Sequence, residues 1–461
     1  MMRLVGVTLL LAAVGCDRGI SDPPVPPPLS LDIQLRQAIG QWGVIGIGPV
    51  PQQNPAMVSL GQSLFFDKVL SGNRDVSCAT CHDPLASAVD GLALAIGTGG
   101  AGSGPTRSLG AGRRFVPRNA PTLINAGLGL PYSLWDGRVN NEGSLTSQFK
   151  APPGIVLPAG LNNLLAAQAM LPVLSRVEMR GDAGDRDAFG NVNELAQFGD
   201  SETSVIWKGV MQRLLAIQEY ADKFAAAYPG IPTQSLGFQH AANALAAFQI
   251  ANFTKTNSAF DRYLAHDDRA LTDEQKRGAL VFFGNGLCSS CHSGPFLGGF
   301  QFANVGTPQI GPGVGAAAPL DIGRGEQFPT TSFYQFAFRV PPLRNVELTA
   351  PYMHNGAYAT LDLVIRHYTN PDSALRAFDV GQLDPALRDT YHGDEATINK
   401  VMLTLAPQLR SSPLGFPSGG IKLSEVDRAQ LIAFLKSLTD PAAQGLAAVI
   451  PASVPSGLPI R

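Results

Sequence analysis

SCATCHDP at residues 77–84 and LCSSCHSG at residues 287–294 repeat one pattern, C-x-x-C-H, in a chain of 461 residues. Two thiols separated by two residues lie on one side of a tight helical turn, and the residue after the second thiol points its imidazole inward. That is the attachment signal for c-type haem: both sulfurs form thioethers to the porphyrin, and the adjacent histidine sits beneath the iron. Cys78, Cys81, Cys288 and Cys291 are therefore the expected attachment points, with His82 and His292 as proximal ligands. A thioredoxin-like redox pair would not need histidine immediately afterwards twice, and a four-thiolate zinc site would leave both histidines without a role. The fifth cysteine, Cys16, follows Arg3, an apolar stretch and Ala13-Val14-Gly15. This layout resembles a bacterial lipoprotein signal, with residues 1–16 as signal, Cys16 as the lipidated residue and residues 17–30 as a Pro-rich tether. An ordinary cleaved signal is the alternative; both readings take the chain out of the cytoplasm, to the periplasm.

Composition narrows the class. The chain is 45% hydrophobic and 15% charged, enough apolar material for two or three packed domains, and this excludes disorder as the main reading. Lys and Arg total 34 against 36 Asp and Glu, so there is no basic excess to neutralise a phosphate backbone, and no nucleic-acid partner is expected. Fifty glycines and 36 prolines point to short helices joined by long loops, with little β structure. The longest apolar run, Leu4 to Val14, is too short to span a bilayer, so membrane contact would come only through a lipid anchor.

A weak internal repeat accompanies the doubled motif. Gly61-x-x-x-Phe65-Phe66 precedes the first C-x-x-C-H and Gly278-x-x-x-Phe282-Phe283 the second. The second begins at a capping box, Thr272 to Gln275, and ends at Gly284 and Gly286. Residues His240 to Phe253 carry helical apolar spacing, and Ser424 caps an amphipathic helix bearing Leu431, Phe434, Leu435 and Leu438. The expected fold is mainly α: two cytochrome c-like haem domains over residues 31–256 and 257–440, then a tail over 441–461. Gly/Pro-rich stretches at 95–112, 151–161 and 181–199 read as loops.

Together with both haem motifs, residues 60–84, RNAPTLINAG (118–127), LWDGR (134–138) and residues 339–368 resemble the bacterial di-haem cytochrome c peroxidases, including the MauG-type enzymes that oxidise tryptophan in a partner protein. The resemblance covers nearly the whole mature chain. It implies an oxidoreductase with hydrogen peroxide as substrate, a peroxidatic N-terminal haem and an electron-relay C-terminal haem. At the position similar to the family's methionine ligand on the relay haem stands Tyr368, as in MauG-type members. His367, Met353 and Met402 are the competing ligands. An anionic oxygen ligand favours higher-valent iron over a methionine thioether. Where reductively activated members have a blocking histidine beyond the first proximal ligand, this sequence has Thr98, which implies an open first haem.

QAMLPVLSRVEM (168–179) matches the family's distal pocket: Glu178 as acid–base residue, Gln168 as its hydrogen-bond partner and Pro172 as a wall. The stretch before Gln168 is longer than the family pattern, which implies an insertion around residues 151–165. Trp135 matches the tryptophan between the two haems. Asn119, Thr349 and Pro351 match positions that hold a calcium ion through oxygens. Arg138 and Arg344 are candidates for pairing with haem propionates, and His354 for a contact near the relay haem. His240, His266 and His392 lack ligand spacing and read as structural or exposed. Within the resemblance, the donor is either a residue on a protein partner, tryptophan favoured, or a small redox protein supplying electrons for peroxide removal. A non-catalytic electron-transfer cytochrome is the further alternative, and a haem-based sensor ranks last.

Overall fold

The structure, a computed structural model, describes residues 29–143, 148–406, 409 and 421–460. The signal, Cys16 and most of the tether lie outside the described residues. Among those described, no helix is long and apolar enough to cross a membrane. The fold is mainly helical; the strands among the described residues are four two-residue segments in two antiparallel pairs, Tyr132–Ser133 with Val139–Asn140 and Phe302–Ala303 with Phe338–Arg339.

Two helix pairs organise it, and each begins from a local signal. In the first, Asn54 accepts a hydrogen bond from the Ala56 N–H at 2.9 Å ahead of Pro55, starting the Pro55–Phe66 helix. This helix packs on the Phe238–Phe253 helix, where Phe65 and Phe66 meet Phe248 and Phe253 edge-on or tilted. In the second, Thr272 and Gln275 exchange hydrogen bonds of 3.2 and 2.9 Å to open the Asp273–Phe283 helix, and Ser424 and Asp427 do the same for the Glu425–Ser437 helix. There Phe282 and Phe283 meet Phe260 and Phe434. The repeat seen in the sequence is thus a repeat in space. Each phenyl ring taken from water stabilises its core by about 1.5–3 kcal/mol.

The repeated glycines mark the crossing points. A Cβ on Gly61 would stand 1.9 Å from the Ala244 carbonyl oxygen, and one on Gly278 would stand 1.8 Å from that of Gln430. Backbone meets backbone at both places, so no side chain can turn aside to make room. Gly278→Ala is expected to push its helix pair apart and destabilise the protein by about 3 kcal/mol, the upper range for overpacking, read as a lowered unfolding midpoint. An unchanged midpoint would show that the close approach is not needed.

Both flanking segments cross over. The Leu31–Gln41 helix, which the sequence division groups with the first motif, buries Leu35 and Ile39 against Phe260, Tyr263 and Phe282 of the second core. Lys276 holds Asp32 at 2.7 Å, and the Trp42 indole donates to the Phe283 carbonyl at 3.1 Å. Conversely, Ala443, Leu446, Val454 and Leu458 pack into the first core. Ser456 donates from its hydroxyl and its backbone N–H to the buried Asp67 carboxylate, and Gln62 donates to the Val449 carbonyl.

Candidate active site

Both motifs form a tight turn closed by the same hydrogen bond, α-helical over Cys78–Cys81 and 3-10 over Cys288–Ser290. Cys78–Cys81 is one helical turn in which the His82 N–H donates to the Cys78 carbonyl at 3.0 Å; in the second, the His292 N–H donates to Cys288 at 2.8 Å. Cys78 packs on the first core and Cys288 on the second, so the two pairs do not converge on one four-thiolate centre. Burial pushes the Cys78 and Cys288 thiols up to about 12, and those of Cys81 and Cys291 up as well. These are protonated thiols, unlike those of a reactive redox pair.

The two proximal histidines have matching surroundings. The Nδ1 of His82 lies 3.3 Å from the Ala88 carbonyl oxygen and that of His292 lies 3.0 Å from the Leu297 carbonyl oxygen, while Pro121 and Pro341 add a second carbonyl to each ring. Burial, partly opposed by those carbonyls, pulls both imidazoles down to about 4. Each is neutral and held from its Nδ1 side, the state an iron ligand needs. The prolines belong to a second repeat that sequence reading missed: Pro121-x-Leu123-x-Asn125 and Pro341-x-Leu343-x-Asn345. Both asparagines are left-handed, with φ of 63° and 67°, and both donate from Nδ2 to the same Lys255 carbonyl, at 2.9 and 3.3 Å. The shared P-x-L-x-N spacing was the available signal.

A cavity of about 280 Å³ lies between the two cores. Cys288, Cys291, His292 and Tyr368 line it on the second side, and Val89, Pro121 and Gln168 on the first, with Trp135 among its walls. Its surface is mostly apolar, as a porphyrin face requires. With Cys288, Cys291 and the neutral His292 on its wall, this cavity fits a c-type haem, and Cys78, Cys81 and His82, outside its lining, repeat the same donor set for a second.

Among the candidates for the sixth ligand, His367 is engaged elsewhere. It is fully buried, its Nδ1 pairs with the Tyr358 hydroxyl at 2.8 Å, and its Nε2 pairs with the Val305 carbonyl at 2.7 Å. Met402 packs beside Phe336 and Ile398 rather than on the cavity wall, whereas Met353 reaches it. Tyr368 lines the cavity, and burial, aided by the Cys291 and Cys288 sulfurs, pushes its hydroxyl well above the ordinary range. A phenol so disfavoured as a free anion requires a cation or metal before it ionises.

On the first side, Glu178 sits in a π-helical turn, Arg176–Arg180. Burial raises its carboxyl above the usual range, opposed by Arg138 and a hydrogen bond to Ser175, and its charge is felt at Cys81. Gln168, at the end of the Leu164–Ala169 helix, accepts from the Ser133 hydroxyl; Pro172 opens the next turn, Pro172–Leu174. Gln168 faces the cavity, whereas Pro172 and Glu178 lie outside its lining. The Thr98 N–H donates to the Glu178 carbonyl at 2.9 Å, and Gly97 permits the approach, since a Cβ there would stand 2.1 Å from the Val177 oxygen. The Thr98 hydroxyl is turned to Asp75 at 2.9 Å, and Arg107 clamps the carbonyls of Ile96, Gly97 and Gly102.

Trp135 links the two halves. Its indole N–H donates to the Asn119 carbonyl at 2.8 Å, two residues before Pro121, and its own carbonyl accepts from the Arg339 N–H at 2.7 Å, two residues before Pro341. The tryptophan is thereby hydrogen-bonded to both segments that steady the proximal histidines. Beneath it lies a buried ion network: Arg118 binds Asp136 at 2.6 Å and Asp321 at 2.7 Å, and Arg138 also binds Asp136 at 2.9 Å. Burial alone would raise Asp136, but the guanidiniums of Arg118 and Arg138 more than reverse it. Removing one partner from such a network costs about 3–5 kcal/mol. His354 stacks on Phe338 with ring centroids 3.5 Å apart, and burial pulls it down to about 3 despite Asp321 at 3.9 Å. Asn119, Thr349 and Pro351 all reach the cavity wall; the Asn119 amide nitrogen donates to Leu92, so its oxygen is the end a cation would take. Of the two arginines expected at propionates, Arg344 is bound to Asp261 at 2.6 Å and to the Pro295 carbonyl, and Arg138 is bound to Asp136. Among the structural histidines, His240 takes the Gly237 N–H at 3.0 Å as a helix cap.

Residues 55–269 match the family model for di-haem cytochrome c peroxidase. The methylamine utilization protein MauG of Methylorubrum extorquens is 30% identical over 324 residues, 69% of this chain and 71% of its own. Cytochrome c551 peroxidase of Pseudomonas aeruginosa is 34% identical over 304 residues, 64% of this chain and 67% of its own. Among solved structures, a MauG-like protein associated with microbial copper homeostasis superposes with a TM-score of 0.57 at 24% identity, over 89% of this chain and 97% of its own. The diheme peroxidase BthA from Burkholderia thailandensis gives 0.54 at 21%, over 87% and 93%. The solved structures share the fold, and the sequence relatives carry the assignment: this chain belongs to the di-haem cytochrome c peroxidase family, oxidoreductases that act on peroxide and carry two c-type haems.

Proposed function

We propose that hydrogen peroxide is reduced at the haem held by Cys78, Cys81 and His82, and that the oxidising equivalents are passed on to a protein donor, with a tryptophan side chain favoured. The haems, when bound, supply the redox chemistry. Glu178 takes a proton from the near oxygen of peroxide and returns it to the leaving one, a role its raised carboxyl suits. Gln168 orients the substrate and Pro172 walls the pocket. Trp135, hydrogen-bonded toward both haem segments, carries charge between them. His292 and Tyr368 hold the second haem, and Asn119, Thr349 and Pro351 hold a calcium ion at the junction. The haem units run over residues 31–256 and 257–440, with the Leu31–Gln41 helix exchanged onto the second core and residues 443–458 onto the first, in the periplasm, on a lipid anchor at Cys16.

One observation carries the preference for a protein residue as donor: Tyr368 faces the cavity of the second motif while its neighbour His367 has both ring nitrogens engaged. A second reading, peroxide removal with electrons from a small redox protein, is supported by the 34% identity to a cytochrome c551 peroxidase. Optical and EPR spectra of the fully ferric protein, taken before and after one equivalent of peroxide with no reductant, separate the two. Loss of a high-spin signal and a long-lived doubly oxidised state are expected. Two low-spin haems that ignore peroxide until one is reduced would favour the second reading.

A further inference from the structure

Arg339 ends the strand Phe338–Arg339, opposite Phe302, on the wall of the cavity that also holds Cys288, Cys291 and His292. Its Nε donates to the Leu134 carbonyl at 3.1 Å, but its Nη1 is shut away from solvent and has no hydrogen-bond partner among the described residues. Burial pulls the guanidinium down to about 10, and no carboxylate opposes that effect. Two of the other buried arginines of this region are paired with carboxylates, and the third, Arg324, also keeps a buried Nε without a partner among the described residues but does not line the cavity. Arg118 has Asp136 and Asp321, Arg344 has Asp261, and Arg324 is enclosed by the rings of Tyr132, Phe302, Phe328 and Tyr334. A cation buried beside an apolar cavity with a donor left over requires an anion from whatever fills that cavity.

A c-type haem brings two carboxylates of its own. We propose that Arg339 receives a propionate of the second haem, in place of the Arg138 and Arg344 that sequence alone suggested. This rests on the assignment of Cys288, Cys291 and His292 as a haem site. A paired propionate stays ionised and its charge is neutralised locally, so Arg339 holds the second haem's potential up and keeps it independent of pH. Because the Arg339 N–H also donates to the Trp135 carbonyl, the residue ties the propionate edge of that haem to the strand beside Trp135.

The test uses the full chain with both haems attached, their number verified by mass, and spectroelectrochemical titration of each haem between pH 5 and 9. In Arg339→Gln, the second haem's ferrous-to-ferric equilibrium is expected to fall about tenfold, 59 mV for one electron, and to acquire a pH dependence, while the first haem is unmoved. Arg339→Lys, which keeps the charge, is expected to restore much of the potential. Unchanged potentials in Arg339→Gln, or equal shifts in both haems, would overturn the proposal. If the parent chain bound no haem at Cys288 and Cys291, the site assignment itself would fail.

Discussion

Glu178→Gln is expected to leave both haems attached and the fold intact, yet slow the reaction of the oxidised protein with peroxide by about 10²–10⁴-fold, the usual contribution of a positioned acid–base group. The side chain keeps its shape and loses only its capacity to accept a proton. The pH profile supplies a sharper readout. Burial raises the Glu178 carboxyl above the ordinary range, so the parent rate should fall as pH drops through that raised value, where the carboxylate becomes protonated. In the Gln variant this acid limb should vanish. Stopped-flow spectra across pH decide the matter: a variant with the parent's rate and the same limb would assign the proton transfer to another group.

Tyr368→Met is expected to produce the largest electrochemical change in the molecule. Thioether ligation stabilises the reduced metal and an anionic phenolate the oxidised one, and axial ligands shift haem potentials across about 0.8 V. A rise on the order of a few hundred millivolts at the second haem is therefore expected, with little change at the first. The cavity position of Tyr368 and the strong disfavouring of its free anion fit this role, because only coordination would make that buried phenol ionise. If the potential and the low-spin spectrum both stayed as in the parent, Tyr368 would be a packing residue, and Met353 on the same wall would be the next ligand to replace.

The parts of this protein legible in sequence are those written in short, local chemistry. Two C-x-x-C-H turns, a capping box at Thr272 and a second at Ser424 each need only a few adjacent residues, and each forms where expected. The Gly-x-x-x-Phe-Phe repeat was visible, but its purpose was not, because the carbonyls of Ala244 and Gln430 that demand glycine come from helices far along the chain. The same distance hid Arg339. As a residue type it looks no different from Arg138 or Arg344, and only the fold reveals that its guanidinium, unlike theirs, lines the cavity with no carboxylate beside it among the described residues. The engagement of both His367 nitrogens likewise depends on Val305 and Tyr358, neither adjacent in sequence.

The crossing of the flanking segments bears on how the protein is assembled. The first C-x-x-C-H leaves the ribosome some two hundred residues before the second, yet its core is not closed until residues 443–458 have been made, because Leu446, Val454 and Leu458 are part of that core and Ser456 bonds to Asp67. The Leu31–Gln41 helix, among the earliest segments made, must in turn wait for Phe260 and Phe282 to cover it. Each core therefore needs a segment from the opposite end of the chain, and the two halves are expected to lose structure together, in one unfolding transition.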